Sequence, residues 1–175
     1  MNLNLEQAFD EPVDLSHDLE LSRESLARPE LTGLQPISFR GRLQRSDPGF
    51  VLTGQMSFSG LVECARCLTD VPFTRTADVS WTFAPSHRQR ELEGEELEER
   101  ELLEGDIDIT WYDDLQVPFD PLIEEQVQLE IPMKPLCRPD CKGLCPSCGA
   151  DRNTTTCSCV KPSDERWDAL KTLTR

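Results

Sequence analysis

The longest regular feature of the chain is alternation. Ile37, Phe39 and Leu43 fall on one parity, and Phe50 and Leu52 resume the pattern after Ser46-Asp47-Pro48-Gly49, a turn signal. Met56, Phe58 and Val62 then share a parity that Cys64 continues. After Cys67 the pattern restarts through Val71, Phe73, Ala77, Val79, Trp81 and Phe83. Successive side chains of a strand point to opposite faces, so alternation over this length describes half-buried strands rather than helices. Residues 36–84 are therefore predicted to form antiparallel sheet. Gly54 and Gly60, inside these runs, predict bulges or close backbone approaches. Cys64-Ala65-Arg66-Cys67 falls at a hairpin turn between two of the strands.

The flanking segments are less regular. Leu3 with Leu5 and Leu19 with Leu21 alternate with polar residues, which suits short strands, and a short helix is expected around Arg23–Ala27. Ile107, Ile109 and Trp111 predict a further strand within 107–119. Asp120 as N-cap, Pro121 at the first helical position and Glu124 and Glu125 near the positive end of the dipole then announce a helix. Ile123, Val127 and Ile131 would line one face of it. Val127, Leu129 and Ile131 also alternate, which keeps a strand in competition. The N-terminal signals favour helix, ended by Pro132 and Pro135. Residues 137–159 are irregular, and Pro162-Ser163 opens a short final helix with Trp167, Leu170 and Leu173 as its apolar contacts.

Charge divides the chain. Residues 1–130 hold 10 Lys+Arg against 28 Asp+Glu, whereas residues 131–175 hold 8 against 5. Within the acidic part, residues 86–106 form a charge run with too few apolar groups to offset the entropy of ordering, so a flexible insertion is expected there. The domain boundary follows: an acidic body over 1–132 and a cysteine-rich tail over 133–175. The overall charge of −15 disfavours nucleic-acid binding by the whole surface and favours basic protein partners, or solubility alone. No window approaches 18 apolar residues, and Met1–Asp14 lacks the basic and apolar runs of a signal peptide. A cytoplasmic protein without a membrane span is expected.

The 8 cysteines carry the chemistry. In a reducing compartment, clustered cysteines are metal ligands or redox groups far more often than disulfides. Cys145-Pro146-Ser147-Cys148-Gly149 lets two thiolates reach one tetrahedral ion, and Cys157-Ser158-Cys159 supplies two more sulfurs. Cys145, Cys148, Cys157 and Cys159 can thus close a local site. Cys64 and Cys67 are left to meet Cys137 and Cys141, stapling the hairpin to the start of the tail. Other pairings, such as Cys64 and Cys67 with Cys145 and Cys148, stay open. Zinc, as one or two structural ions, suits all-sulfur sites, with an iron–sulfur cluster as the rival. Four sulfurs per ion leave no open position for a reacting water.

Catalytic signatures are missing. His17 and His87 are the only histidines, and no phosphate loop, dinucleotide fingerprint or Ser-His-Asp order is present. A redox role for Cys64 and Cys67 lacks the helix N-terminus that lowers a thiol pKa in such enzymes. Lys134, Arg138, Lys142 and Arg152 surround the tail cysteines and are candidates for contacts with RNA phosphates, although on charge alone a solvated rim is the favoured explanation. The fold class expected is α+β: a mostly antiparallel β-sheet, one or two helices and a cysteine-rich, zinc-organised C-terminal segment.

Pro135-Leu136-Cys137, the stretch from Asp140 through Cys141-Lys142-Gly143-Leu144-Cys145-Pro146-Ser147-Cys148-Gly149, then Asn153 and Cys157-Ser158-Cys159, resemble the YceD family of large ribosomal RNA subunit accumulation proteins. Cys64-Ala65-Arg66-Cys67-Leu68 is similar to that family's other motif, and so is the ending from Arg166-Trp167 to Leu173. Asp151-Arg152-Asn153 departs from the usual wording, and the acidic insertion has no counterpart. The resemblance implies a cytoplasmic, non-enzymatic factor needed for synthesis, processing or stability of large-subunit (23S) ribosomal RNA. The partners it implies are ribosomal RNA or a pre-ribosomal particle, and a basic large-subunit ribosomal protein, with no small-molecule substrate. A zinc-ribbon regulator that binds nucleic acid directly is the alternative.

Overall fold

The structure, a computed structural model, describes residues 1–22, 24–89 and 109–159. Most of the expected acidic insertion, together with Ile107 and the expected final helix, lies outside the described residues. Eight strands are present among those described: β1 (Asn2–Asn4), β2 (Val13–Leu19), β3 (Leu31–Leu34), β4 (Ile37–Ser46), β5 (Gly49–Glu63), β6 (Asp70–Pro85), β7 (Ile109–Tyr112) and β8 (Gln116–Pro118), followed by helix α1 (Asp120–Glu130). The chain groups into two compact units. The first comprises Met1–Val62 and Pro72–Met133, and the second comprises Glu63–Val71 and the chain from Lys134 onward.

In the first unit a six-stranded sheet runs in the order β2-β4-β5-β6-β7, with β3 also paired to β5. β2–β4, β3–β5 and β4–β5 are antiparallel, and β7 joins β6 in parallel. β1 and β8 form a separate two-stranded antiparallel ribbon. Alternation over 36–84 thus yields the three long strands β4, β5 and β6. Their predicted inward residues Ile37, Phe39, Leu43, Leu52, Met56 and Phe83 are completely or almost completely buried. α1 contributes Ile123 and Val127, both fully buried, while Leu129 on its other face is 73% exposed. That asymmetry decides the competition between helix and strand over 120–131 in favour of helix.

The glycine expectation has a steric basis. Gly41 and Gly54 face each other across β4 and β5. A Cβ on Gly54 would lie 2.5 Å from the Arg40 carbonyl oxygen and 2.7 Å from the Phe39 ring. The ring of Phe39 lies over the two backbones, and only residues without a Cβ leave it room.

Three expectations are corrected. Glu24–Ala27 forms turns rather than a helix. The Ser25 N–H is shared between the carbonyl and side-chain oxygens of Ser22, and the Ser25 hydroxyl donates to the same carbonyl at 2.9 Å. Serine side chains there compete with helical bonding, and Ala27 takes a φ of 47°. Asp120 does not cap α1. It is the first helical residue, and its carboxylate turns to His17, with Nε2 and Oδ1 2.9 Å apart. Leu5 belongs not to a strand but to a 3-10 turn, Leu5–Ala8, entered through Asn4, whose side chain accepts from the Glu6 N–H. The helix ends at Glu130, just ahead of Pro132 as expected, but the pattern did not mark what satisfies that end. The Arg28 and Arg75 guanidiniums donate to the carbonyls of Gln128 and Glu130, where unsatisfied oxygens gather at the C-terminus. No helix among the described residues is long and apolar enough to cross a membrane.

Candidate metal centres

The second unit begins where β5 and β6 meet. Cys64 and Cys67 sit in the connection after Glu63 and before Asp70, as the hairpin expectation required. Its backbone folds into a knuckle: Leu68 N–H donates to the Cys64 carbonyl at 3.0 Å, and Cys64 N–H donates to the Thr69 carbonyl at 2.9 Å. The same pair of bonds recurs at Cys145, where Gly149 N–H reaches the Cys145 carbonyl and Cys145 N–H reaches the Ala150 carbonyl, both at 2.8 Å. Residue 68 has φ 61° and residue 149 has φ 72°. Two Cys-x-x-Cys segments that share little sequence therefore adopt one geometry, and at position 68 a leucine takes the left-handed conformation that glycine takes at 149.

Each knuckle meets two further cysteines. The sulfurs of Cys64, Cys67, Cys137 and Cys141 all lie within 4.8 Å of one another, and so do those of Cys145, Cys148, Cys157 and Cys159. In the first tetrad Cys64 and Cys141 are 3.9 Å apart and Cys67 and Cys137 are 3.6 Å apart. A single ion bonded at about 2.3 Å to four tetrahedral sulfurs spaces them about 3.8 Å apart, whereas a disulfide would close them to about 2.05 Å. All eight are free thiols. The donor set and spacing therefore fit one metal ion per tetrad. Of the pairings the sequence left open, the structure brings together the local one and the stapled one.

Burial differs between the tetrads. In the first, Cys64, Cys67 and Cys141 are buried and only Cys137 is exposed; in the second, only Cys145 is buried. Val71, Leu136 and Leu144 pack around the first. Among the described residues of this unit the only buried hydrophobic positions are cysteines.

Within each cluster thiol pKa values are pushed in opposite directions. Burial raises the Cys64 pKa, but N–H groups of Cys137, Arg66 and Cys67 directed at its sulfur outweigh this and bring it to about 6. The N–H groups of Ser147 and Cys148 bring Cys145 likewise to about 6. Cys137 is pushed up to about 12 by local desolvation of its sulfur within the cluster and by the neighbouring sulfurs of Cys67, Cys141 and Cys64. Cys159 is pushed up to about 12 by Cys148 and Cys145. The neighbouring sulfurs thus oppose ionisation of Cys137 in one cluster and Cys159 in the other, and a cation relieves that conflict. Metal must displace the remaining protons, so loading should release at least one proton per ion at pH 7, from Cys137 and Cys159 respectively. Apparent affinity should rise with pH and weaken on acidification through about pH 6, where Cys64 and Cys145 themselves take up protons. Calorimetric titration with Zn²⁺ in two buffers of different ionisation heat measures this. Uptake with no proton release would contradict the arrangement.

The four basic candidates are all exposed but do not converge. Lys142 and Arg152 line one cleft of about 320 Å³ together with Cys145, Pro146, Ser147 and Cys157. Lys134 and Arg138 lie outside it, and Arg138 Nε is 3.7 Å from the Asp140 carboxylate. Two residues without an assigned role prove central. The Arg66 guanidinium donates to the Cys141 carbonyl at 2.7 Å, and Asn153 Nδ2 donates to the Cys141 sulfur at 3.4 Å. No periodicity marks either residue. Their place in the Cys-rich motifs quoted above is the signal the sequence offers.

The protein is thus mostly β-sheet and gathers eight cysteines into two four-sulfur clusters, each of which could hold a metal ion. Comparison with known proteins narrows this. The family model described as large ribosomal RNA subunit accumulation protein YceD matches residues 52–174, and the chain belongs to the YceD family. An uncharacterised protein of Mycobacterium tuberculosis is 31% identical over 129 residues, covering 74% of this chain and 58% of that relative. YlbN of Bacillus subtilis is 28% identical over 149 residues, covering 82% of this chain and 73% of YlbN. The large ribosomal RNA subunit accumulation protein YCED homolog 1, chloroplastic, of Zea mays is 40% identical over 67 residues, 34% of this chain and 23% of the maize protein. The chain thus spans a little over half the length of its mycobacterial relatives. No solved structure matches it.

Proposed function

We propose that this protein is a non-enzymatic factor of ribosome biogenesis that supports synthesis, processing or stability of large-subunit (23S) ribosomal RNA in the cytoplasm. The observation that carries this reading is membership of a family named for large ribosomal RNA subunit accumulation. The site is consistent with it. Both tetrads offer four protein sulfurs, so a bound ion has no vacant position for substrate and serves to shape the chain. Zinc is the ion we assign, because the sulfurs of each tetrad lie within 4.8 Å, and iron–sulfur clusters spread their terminal sulfurs over several irons. Cys64, Cys67, Cys137 and Cys141 would hold one ion, and Cys145, Cys148, Cys157 and Cys159 the other.

The partner we assign is ribosomal RNA within a pre-ribosomal particle, touched by Lys142 and Arg152 at their shared cleft and by Lys134 and Arg138 at the periphery. The acidic remainder of the chain suits a basic ribosomal protein. Deleting the gene and measuring the ratio of large- to small-subunit ribosomal RNA tests the function. The ratio should fall and be restored by the intact chain. An unchanged ratio would overturn the proposal. For contact with RNA, Lys142→Glu with Arg152→Glu should weaken binding of ribosomal RNA fragments about equally across sequences. The variant should also lower the dependence of log affinity on log salt by roughly one per lost phosphate contact. Unchanged RNA binding, with retention of a basic ribosomal protein, would move the interface to the acidic surface.

A further inference from the structure

We infer that Asn153 is a positioning residue that couples the two tetrads, so that an ion on one raises the affinity of the other. The inference rests on the proposed reading that both tetrads hold metal, and it concerns how they communicate. Asn153 lies in the loop between Cys148 and Cys157, which an ion on the second tetrad would close. Its side chain serves the first. Nδ2 donates to the Cys141 sulfur at 3.4 Å and to Asp151 Oδ1 at 2.7 Å, while Oδ1 accepts the Lys142 N–H at 2.8 Å. Both amide protons and the amide oxygen are thereby used. The orientation is fixed by its partners, since a flipped amide would set its oxygen against a carboxylate and its NH₂ against a backbone N–H.

The link is a two-sided clamp on residues 141–145. On one side the Arg66 carbonyl, between Cys64 and Cys67, accepts the Leu144 N–H at 2.9 Å, next to Cys145. On the other side Arg152 N–H donates to the Gly143 carbonyl at 3.0 Å. Gly143 makes this possible. Its φ is +69°, and a Cβ there would lie 2.8 Å from the Arg66 carbonyl oxygen. A hydrogen bond to a metal-bound sulfur fixes the ligand's orientation and spreads its charge, and such partners tune metal affinity by roughly 10- to 100-fold. An ion that fixes loop 148–157 holds Asn153 against Cys141. By reciprocity, an ion that fixes Cys141 orders the loop for the second site.

The test is titration of the full, reduced, metal-free chain with Co²⁺, followed by its thiolate-to-cobalt absorption. Cys148→Ser with Cys159→Ser disables the second tetrad. The first should then bind Co²⁺ on the order of 10-fold more weakly than in the intact chain. Asn153→Asp keeps the shape and the acceptor but removes the donor. It should cost a similar factor in the intact chain, shift the absorption of the first site, and cost little more where the second tetrad is already disabled. That loss of additivity separates coupling from a merely structural role, which would lower affinity equally in both backgrounds. If the double serine variant does not fold, native mass spectrometry of the intact chain reads the same quantity. Coupling suppresses the singly loaded species, and Asn153→Asp restores it. Two ions taken up independently, or an Asn153→Asp effect equal in both backgrounds, would overturn the coupling and leave the metal reading intact. No cobalt uptake by the natural sequence would overturn both.

Discussion

Removing metal from the full chain should abolish the order of residues 134–159 and of the Cys64–Cys67 knuckle while leaving the sheet folded. Among its described residues the second unit has no apolar core of its own. Its buried hydrophobic positions are Cys64, Cys67, Cys141 and Cys145, with Val71, Leu136 and Leu144 half-covered beside them. Ordering a residue's backbone costs roughly 1–2 kcal/mol, and so little buried surface cannot offset that over some thirty residues. A structural thiolate site contributes on the order of 10 kcal/mol at neutral pH, a contribution that these residues lose on chelation. The first unit is different, because Phe39, Leu43, Leu52, Met56, Phe83 and Phe119 are fully buried within it. Hydrogen exchange on chelated protein should therefore show loss of protection at the Cys64, Ala65, Leu144 and Cys145 amides and retention along the β4–β5 ladder. Cys145→Ser should reproduce the loss at the second tetrad without loss of the sheet. The more exposed second tetrad should release its ion to a chelator first. Collapse of the sheet on chelation would show that the two units fold as one.

How far the sequence foretold this follows from which interactions are local. Alternation over Ile37–Phe83 located three long strands, because a face buried in a sheet leaves a period of two on the residues themselves. The spacing of Ile123, Val127 and Ile131 located α1 for the same kind of reason. The strand β3 escaped, and of β2 only the end at Leu19 was foreseen. In Val13–Leu19 half-buried residues alternate with exposed ones and none is fully buried, so its pattern is weak, and it is paired along its length with β4. Asp120 misled because a carboxylate at a helix start can cap the helix or bond elsewhere, and only tertiary structure brings His17 to it. The cysteine spacings narrowed the tetrads to a few partitions. The choice among them depends on the path by which the chain from Lys134 returns to the β5–β6 connection, and no spacing encodes that path. Asn153 and Arg66 stood out only as members of the family-like motifs, and their roles were hidden for a further reason: they act through hydrogen bonds to Cys141 and its neighbours, which leave no periodic trace.

Phe39→Ala should destabilise the first unit by about 3–5 kcal/mol, the range for truncating a buried aromatic ring. Phe39 is fully buried, and its ring centroid lies 5.7 Å from that of Trp81 and 5.2 Å from that of Phe119. Trp81 and Phe119 are themselves 5.6 Å apart, so three rings close a triangle that joins β4, β6 and the entry to α1. On the sheet side the Phe39 ring lies over Gly41 and Gly54, which have no side chains to move into a void. The backbone beneath is held in register on both β4 and β5. Collapse into the cavity is therefore blocked from below, which places the expected cost at the upper end of the range. The opposite change tests the same packing. Gly54→Ala would bring a methyl within 2.7 Å of the ring and 2.5 Å of the Arg40 carbonyl oxygen, an overpacking that costs about 1–3 kcal/mol. Combining Gly54→Ala with Phe39→Leu should cost less than the sum of the two, since the smaller side chain relieves the clash with the ring but not the clash with the carbonyl. Denaturant unfolding with metal kept loaded measures all three variants. A cost below about 1 kcal/mol for Phe39→Ala would mean that the ring triangle does not hold the helix to the sheet.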